Sequence, residues 1–171
     1  VSTIFMNTFL AGAGGVMAAA IVTRLAFGKT DVIQMLNGCI GGLVAITAEP
    51  LMPSPLAAIL IGAVGGILVV YGTKFLLSLK IDDVVGAIPA HLFAGIWGTL
   101  AVPITNPDTN FGAQLLGVIS INAFVFIVSL IVWAIMKNTI GIRLSKEGEL
   151  KGTDVTAVSY THLTLPTSNG V

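Results

Sequence analysis

The stretch Asp82–Gly98, DDVVGAIPAHLFAGIWG, decides how the rest of this sequence is interpreted. It opens with two acids and then continues without a charged residue as far as Asp108. One imidazole, His91, lies in this apolar run, and Pro89 precedes it by two residues. A titratable side chain inside a membrane span is costly unless it has a partner or faces a polar cavity. His91 is therefore the first candidate for a functional residue, and a proline that interrupts the helix beside it strengthens that prediction.

Composition places the chain in a membrane. Of its 171 residues, 55% are hydrophobic and 9% are charged, and the mean hydropathy is +0.98. Soluble domains carry about 25% charged residues. The net charge is zero and the bases are scattered, so no nucleic-acid partner is predicted. The single cysteine, Cys39, excludes an internal disulfide and is interpreted as a small buried hydrophobic residue.

Charged residues divide the sequence into five apolar blocks. About 20 apolar residues cross the hydrocarbon core as a helix, so the sequence predicts an all-α integral membrane protein with five transmembrane helices. The block at 32–48 is marginal in length. The predicted spans are approximately 1–23, 32–48, 56–74, 84–104 and 111–136, forming a bundle over 1–137. A polar tail is predicted over 138–158, followed by disordered or non-native sequence over 159–171.

The basic residues assign an orientation to these five spans. With alternating spans, every lysine and arginine falls on one side, in the loops after the first and third helices and in the tail. The opposite loops carry none. The positive-inside rule makes the basic side cytoplasmic, so the tail is predicted to be cytoplasmic.

The residues alone leave two interpretations of His91 open. It can be a tie between helices, or a hydrogen-bond and proton carrier for a small polar substrate. No metal site or cofactor is predicted, because the other histidine, His162, lies in the tail. Asp82 and Asp83 are predicted to cap the fourth helix, and Glu49 to be a solvated loop residue. No nucleophile–base pair or phosphate loop indicates an enzyme.

The run over residues 82–102, DDVVGAIPAHLFAGIWGTLAV, resembles the ammonium transporter family (Amt/Mep/Rh), in its bacterial Amt branch. The spacing His-x-x-x-Gly-Ile-x-Gly that starts at His91 is its most specific part. The likeness extends to Asn7-Thr8, to NGCIGGLVAITAEP at 37–50 and to IGIRLSKEGELKGTDV at 140–155.

This resemblance implies a fold and a function. The family fold has eleven helices in two inverted halves and assembles as a homotrimer with one pore per subunit, and this chain would be a C-terminal fragment supplying helices 7–11. The substrate would be ammonium or ammonia, crossing the inner (plasma) membrane. A PII-type signalling protein would dock at the tail. A fragment is expected not to transport alone.

The resemblance also implies residue roles. His91 is similar to the second member of a pore-lining histidine pair, and Asp83 to an acid below that pair. Ile40, Thr47 and Ala87 match positions close to the conduit. Two alternatives remain: an ammonium sensor on the same fold, and a structural membrane subunit without transport activity.

Overall fold

The structure, a computed structural model, describes residues 1–152, and these residues form helices without any strand. The elements are α1 (Ser2–Phe27), α2 (Val32–Ile46), α3 (Pro55–Ser78), a π-helical segment (Ile88–Phe93) that continues into α4 (Ala94–Thr105), α5 (Phe111–Thr139) and α6 (Lys146–Lys151). The predicted all-α fold is confirmed. The end of the predicted tail and the segment 159–171 lie outside the described residues.

Four of these helices are long and apolar enough to cross a membrane: α1, α3, the continuous helix Ile88–Thr105 and α5. The marginal second span is observed as the 15-residue helix α2. At 1.5 Å per residue its length is roughly 22 Å, short of the roughly 30 Å hydrocarbon core. α2 therefore depends on its protein neighbours rather than on its own length.

Helices α1, α2 and α3 pack with their backbones in contact. A Cβ atom built at Gly62 or Gly42 would overlap the carbonyl oxygen of Ala11, and one at Gly66 would overlap that of Gly15. Lipid tails are as apolar as leucine, so small residues that allow close approach, rather than hydrophobicity, hold membrane helices together. Glycines therefore allow the close packing of these three helices.

A buried asparagine ties α1 to the loop that precedes α3. The Asn7 side chain is fully buried, and its Nδ2 donates to the carbonyl oxygens of Pro50 (3.0 Å) and Pro53 (2.8 Å). Both carbonyls belong to a loop without helical hydrogen bonds of its own. One amide group therefore satisfies two loop acceptors.

The interpretation of Glu49, at the same end of the bundle, as a solvated loop residue is wrong. Glu49 is half-buried, and its Oε2 accepts a hydrogen bond from Asn106 Nδ2 at 3.2 Å. Nearby, Trp97 Nε1 donates to the carbonyl oxygen of Ile61 at 3.0 Å and joins α4 to α3. Cys39 is also half-buried rather than buried.

The chain divides into two compact units between Asn122 and Ala123, inside α5. In the described part of the second unit, Arg143 forms an ion pair with Glu149, and both side chains are exposed. The hydrogen bond from Arg143 lowers the pKa of the Glu149 carboxyl, and the same contact raises the pKa of Arg143.

Candidate functional site

The fourth membrane-spanning segment begins later than the predicted residue 84. Residues 84 and 85 form a turn, Gly86 has a left-handed φ of 74°, and the continuous helix starts at Ile88. Asp83 Oδ1 accepts from Ala87 N (2.9 Å) and Oδ2 accepts from Ile88 N (2.8 Å). The predicted cap is confirmed for Asp83. Asp82 is exposed and accepts no such bond from the described residues.

This turn lies alongside α2 and α3 rather than beyond their ends, although Val84 and Val85 are exposed. Asn37, in the second turn of α2, donates its Nδ2 to Val85 O at 2.8 Å. Gly72 of α3 faces Pro89 and Phe93 so closely that a Cβ there would contact both side chains. Gly72 is six residues before the end of α3, which corresponds to roughly 9 Å along the helix axis. His91 therefore lies well below the helix ends, although it is only the fourth residue of its own helix.

Pro89 lies in the π-helical segment, which is the form that the predicted interruption of the helix takes. A proline has no N–H to donate, and its ring clashes with the preceding turn of an α-helix. The amide of Ala94 donates to both Pro89 O and His91 O across this widened turn. Irregular backbone at this depth is tolerated where protein groups satisfy it or where it lines a cavity. Such π-helical turns occur frequently at functional sites.

The imidazole of His91 lines a groove of about 310 Å³ between α4 and the first half of α5. The walls are mostly apolar, and the polar side chains in them are Thr99, Gln114 and Asn122. The Thr99 hydroxyl donates to Gly95 O and the Asn122 amide donates to Val118 O, so each is partly satisfied within its own helix. His91 is exposed and makes no hydrogen bond to the described residues. A neutral imidazole there can accept at one nitrogen and donate at the other.

The structure does not bring all the predicted site residues together. Ile40, Thr47 and Ala87 are exposed and do not line the groove beside His91. The Thr47 hydroxyl donates to Val44 O at 2.7 Å in its own helix. Pro89 lies in the π-helical segment that carries His91, and Asp83 lies in the turn before it. The roles of these residues in a conduit stay a prediction.

Three groups were missed by the sequence reasoning. Asn37 donates to the turn that precedes the helix of His91, and Gln114 and Asn122 form part of the groove wall. The sequence contains a signal for Gln114 and Asn122. The α5 residues in the wall recur at helical spacing (114, 117, 118, 121, 122) and so share one face of the helix. Asn37 had no comparable signal, since its partner is 48 residues away.

These observations define a class: a polytopic helical membrane protein whose broken fourth helix presents an imidazole to an apolar groove. The model of the Ammonium Transporter Family matches residues 1–162. The chain belongs to the ammonium transporter family. The match includes the first residues of the segment 159–171, which the sequence predicts to be disordered or non-native.

Individual relatives agree with this assignment. The chain is 39% identical to the ammonium transporter Amt2 of Archaeoglobus fulgidus, over 94% of this chain and 39% of that protein. It is 30% identical to an ammonium transporter of Bacillus subtilis, over 89% of this chain and 42% of that one. The chain thus spans about two fifths of the length of these relatives.

Solved structures show the same fold. A sensor Amt protein superimposes with a TM-score of 0.84 at 30% identity, covering 91% of this chain and 42% of that one. Mep2 of Candida albicans superimposes with a TM-score of 0.77 at 23% identity, covering 85% and 37%. At that identity the Mep2 likeness supports the fold alone.

Proposed function

We propose that the full-length protein carrying this chain transports ammonium or ammonia across a membrane, with His91 in contact with the substrate. One observation supports the proposal best. The imidazole of His91 lines a mostly apolar groove and has no hydrogen-bond partner in the described chain, and its helix begins below the ends of the neighbouring helices.

The physical argument starts from the cost of moving an ion. A bare ammonium ion in a low-dielectric passage is strongly disfavoured, whereas neutral ammonia crosses such a passage far more easily. An apolar conduit for ammonium therefore needs a group that handles the proton. His91 is suited to this role, together with a second histidine from outside this chain. Ile40, Thr47 and Ala87 would line the same conduit once the rest of the protein covers their exposed side chains.

In this proposal Asp83 and Pro89 are positioning residues. Asp83 accepts the first two free amides of the helix, and Pro89 lies in the π-helical turn that carries His91. Neither needs to touch the substrate.

The family membership supports three further proposals about the whole protein. It would be a homotrimer, its multi-pass bundle would lie in the cell inner (plasma) membrane, and its basic side and tail would be cytoplasmic, available to a PII-type protein. The exposed apolar side chains along α1, such as Phe5 (73%) and Phe9 (75%), suit a face that lipid or a neighbouring subunit covers.

Uptake in proteoliposomes tests the main proposal. The full-length protein is expected to mediate [14C]methylammonium uptake that unlabelled ammonium competes away and potassium does not. Uptake no greater than that of empty liposomes, from protein shown to be folded, would contradict transport.

A sensor is the second candidate, favoured by the superposition on a sensor Amt protein. A sensor is expected to bind ammonium with little flux. Saturable quenching of tryptophan fluorescence by ammonium, in the absence of uptake, would favour the sensor over the transporter.

The third alternative is a structural subunit in which His91 ties two helices. The imidazole forms no hydrogen bond to a second helix among residues 1–152. This alternative predicts neither uptake nor ammonium binding.

A further inference from the structure

A second cavity lies away from the His91 groove, where the basic ends of three helices meet. Its volume is about 230 Å³. It is bounded by the end of α1, the start of α2 and the last turns of α3. The lining residues are Phe27, Asp31, Gln34, Val70, Thr73, Lys74 and Leu77. Nothing in the proposed transport function uses these residues.

Two opposite charges line this cavity without pairing with each other. Within the described part of the chain the ion pairs are confined to residues 143–151, so the Asp31 carboxylate and the Lys74 ammonium lie more than 4.0 Å apart. Lys74 lies 5.5 Å from the centroid of the Phe27 ring. Asp31 Oδ1 accepts from Gln34 N, and Oδ2 accepts no hydrogen bond from the described residues. Both charges can therefore contact a molecule between them.

A neutral acceptor lies next to the carboxylate. Gln34 Oε1 is 3.5 Å from the Thr73 hydroxyl, but that hydroxyl has one proton and lies only 2.8 Å from Val69 O. The shorter bond takes the proton, so Gln34 Oε1 remains available to a donor. The acidic side of the cavity thus offers two oxygens, and the basic side offers the three N–H groups of Lys74.

The remaining walls include apolar side chains that are exposed in the described chain. Phe27 is 43% exposed and Leu77 is 65% exposed, and both belong to the membrane-spanning helices α1 and α3. A ligand that matches all three surfaces has an anionic group, a cationic group with N–H donors, and an apolar body.

We propose that this cavity binds the headgroup of a phospholipid with a primary ammonium group, such as phosphatidylethanolamine. The phosphate accepts from Lys74, the ammonium donates to Asp31 and Gln34, and the acyl chains lie against Phe27 and Leu77. A choline headgroup has no N–H to donate, and a phosphatidylglycerol headgroup has no cation for Asp31. The inference is independent of the proposed transport function.

Native mass spectrometry of the full-length protein tests this, with phosphatidylethanolamine, phosphatidylcholine and phosphatidylglycerol of identical acyl chains. The ethanolamine lipid is expected to bind about tenfold more tightly than the other two, because each lacks one charge-assisted hydrogen bond. Equal affinity for the ethanolamine and choline lipids would overturn the proposal.

Matched variants locate the effect. Asparagine caps a helix as well as aspartate does, so Asp31→Asn keeps the α2 cap and is expected to reduce the ethanolamine preference to less than about twofold. Lys74→Met is expected to weaken binding of all three lipids. Lys29→Met, at the same end but outside the cavity, is expected to leave the affinity for all three lipids unchanged.

An unchanged preference for the ethanolamine lipid in Asp31→Asn, or equal losses of affinity in the two lysine variants, would contradict this site. Displacement of the lipid by soluble phosphoethanolamine at equal concentration would contradict the lipid assignment.

Discussion

Helices α3 and α5 are both apolar and long enough to cross a membrane, yet they differ completely in burial. In the most apolar stretch of α3, 44% of the residues are buried inside the chain, whereas α5, the more apolar helix, has none buried. The difference follows from small residues: Gly62, Gly65 and Gly66 allow α3 to contact α1 and α2 backbone to backbone. Hydropathy therefore predicts which helices cross the bilayer, and small residues predict which of them pack.

The largest expected effect comes from filling the closest contact. Gly62→Val would push a side chain into the backbone of Ala11, which cannot move away without separating α1 from α3. We expect a loss of roughly 3 kcal/mol or more in the free energy of unfolding of the full-length protein. Titration with SDS, followed by circular dichroism, measures it.

Gly117→Val is the matched control on α5, because a Cβ there meets nothing within 4 Å. Its expected change is within roughly 0.5 kcal/mol. Equal effects of the two substitutions would remove the proposed distinction between α3 and α5.

The next largest loss of stability is expected from removing a buried side-chain amide, compared with an exposed one. Asn7→Ala removes the donor to Pro50 O and Pro53 O and leaves two loop carbonyls without it. We expect the free energy of unfolding to fall by roughly 2–3 kcal/mol. In Asn138→Ala, the amide lost is exposed and donates only to Ala134 O of its own helix, so a change within roughly 0.5 kcal/mol is expected. An unchanged free energy of unfolding in Asn7→Ala would contradict this prediction and would mean that water replaces the amide.

A smaller loss of stability is expected when the two tryptophans are compared. Trp97→Phe keeps the ring but removes the hydrogen bond to Ile61 O, and we expect a loss of roughly 1 kcal/mol. Trp133 on α5 is 56% exposed, so Trp133→Phe is expected to leave the unfolding midpoint unchanged. The same denaturant titration compares them, and a larger loss for Trp133→Phe would contradict the comparison.

The smallest effect is in the exposed tail. Because the pKa of Glu149 is lowered, its ion pair with Arg143 is present above the ordinary carboxyl pKa of 4.5 and is lost as the pH falls through the lowered value. The Nε resonance of Arg143 in protein labelled with 15N-arginine is expected to shift in that acidic range. The Glu149→Gln variant should abolish the shift. Solvent screens so exposed a pair, so no change in global stability is expected.

The sequence was sufficient to predict the helices and the importance of Asp82–Gly98, because hydrophobic length and charge position are local properties. It predicted the cap at Asp83 and a perturbed helix at Pro89. It placed the start of that helix at 84, because the apolar run continues through a turn that only Gly86 and Asp83 reveal. Apolarity alone cannot distinguish an apolar turn from the first turn of an apolar helix.

Other features depended on contacts between distant residues. The pairing of Gly62 with Ala11 is set by the register of two helices, which no local property of the sequence gives. Glu49 looked solvated because Asn106, its partner, is 57 residues away. The cavity that Asp31 and Lys74 line was not predicted either, since it forms only where α1, α2 and α3 pack together.

The most direct test of the central claim is ammonium flux through full-length His91→Phe protein in proteoliposomes, with the melting temperature measured on the same preparation. Phenylalanine fills the space of the imidazole but cannot accept or donate a proton. Transport that is lost or changed in its pH dependence, with an unchanged melting temperature and normal flux in the exposed α3 control Tyr71→Phe, is the predicted result. Wild-type flux with the same pH dependence in His91→Phe would contradict the account.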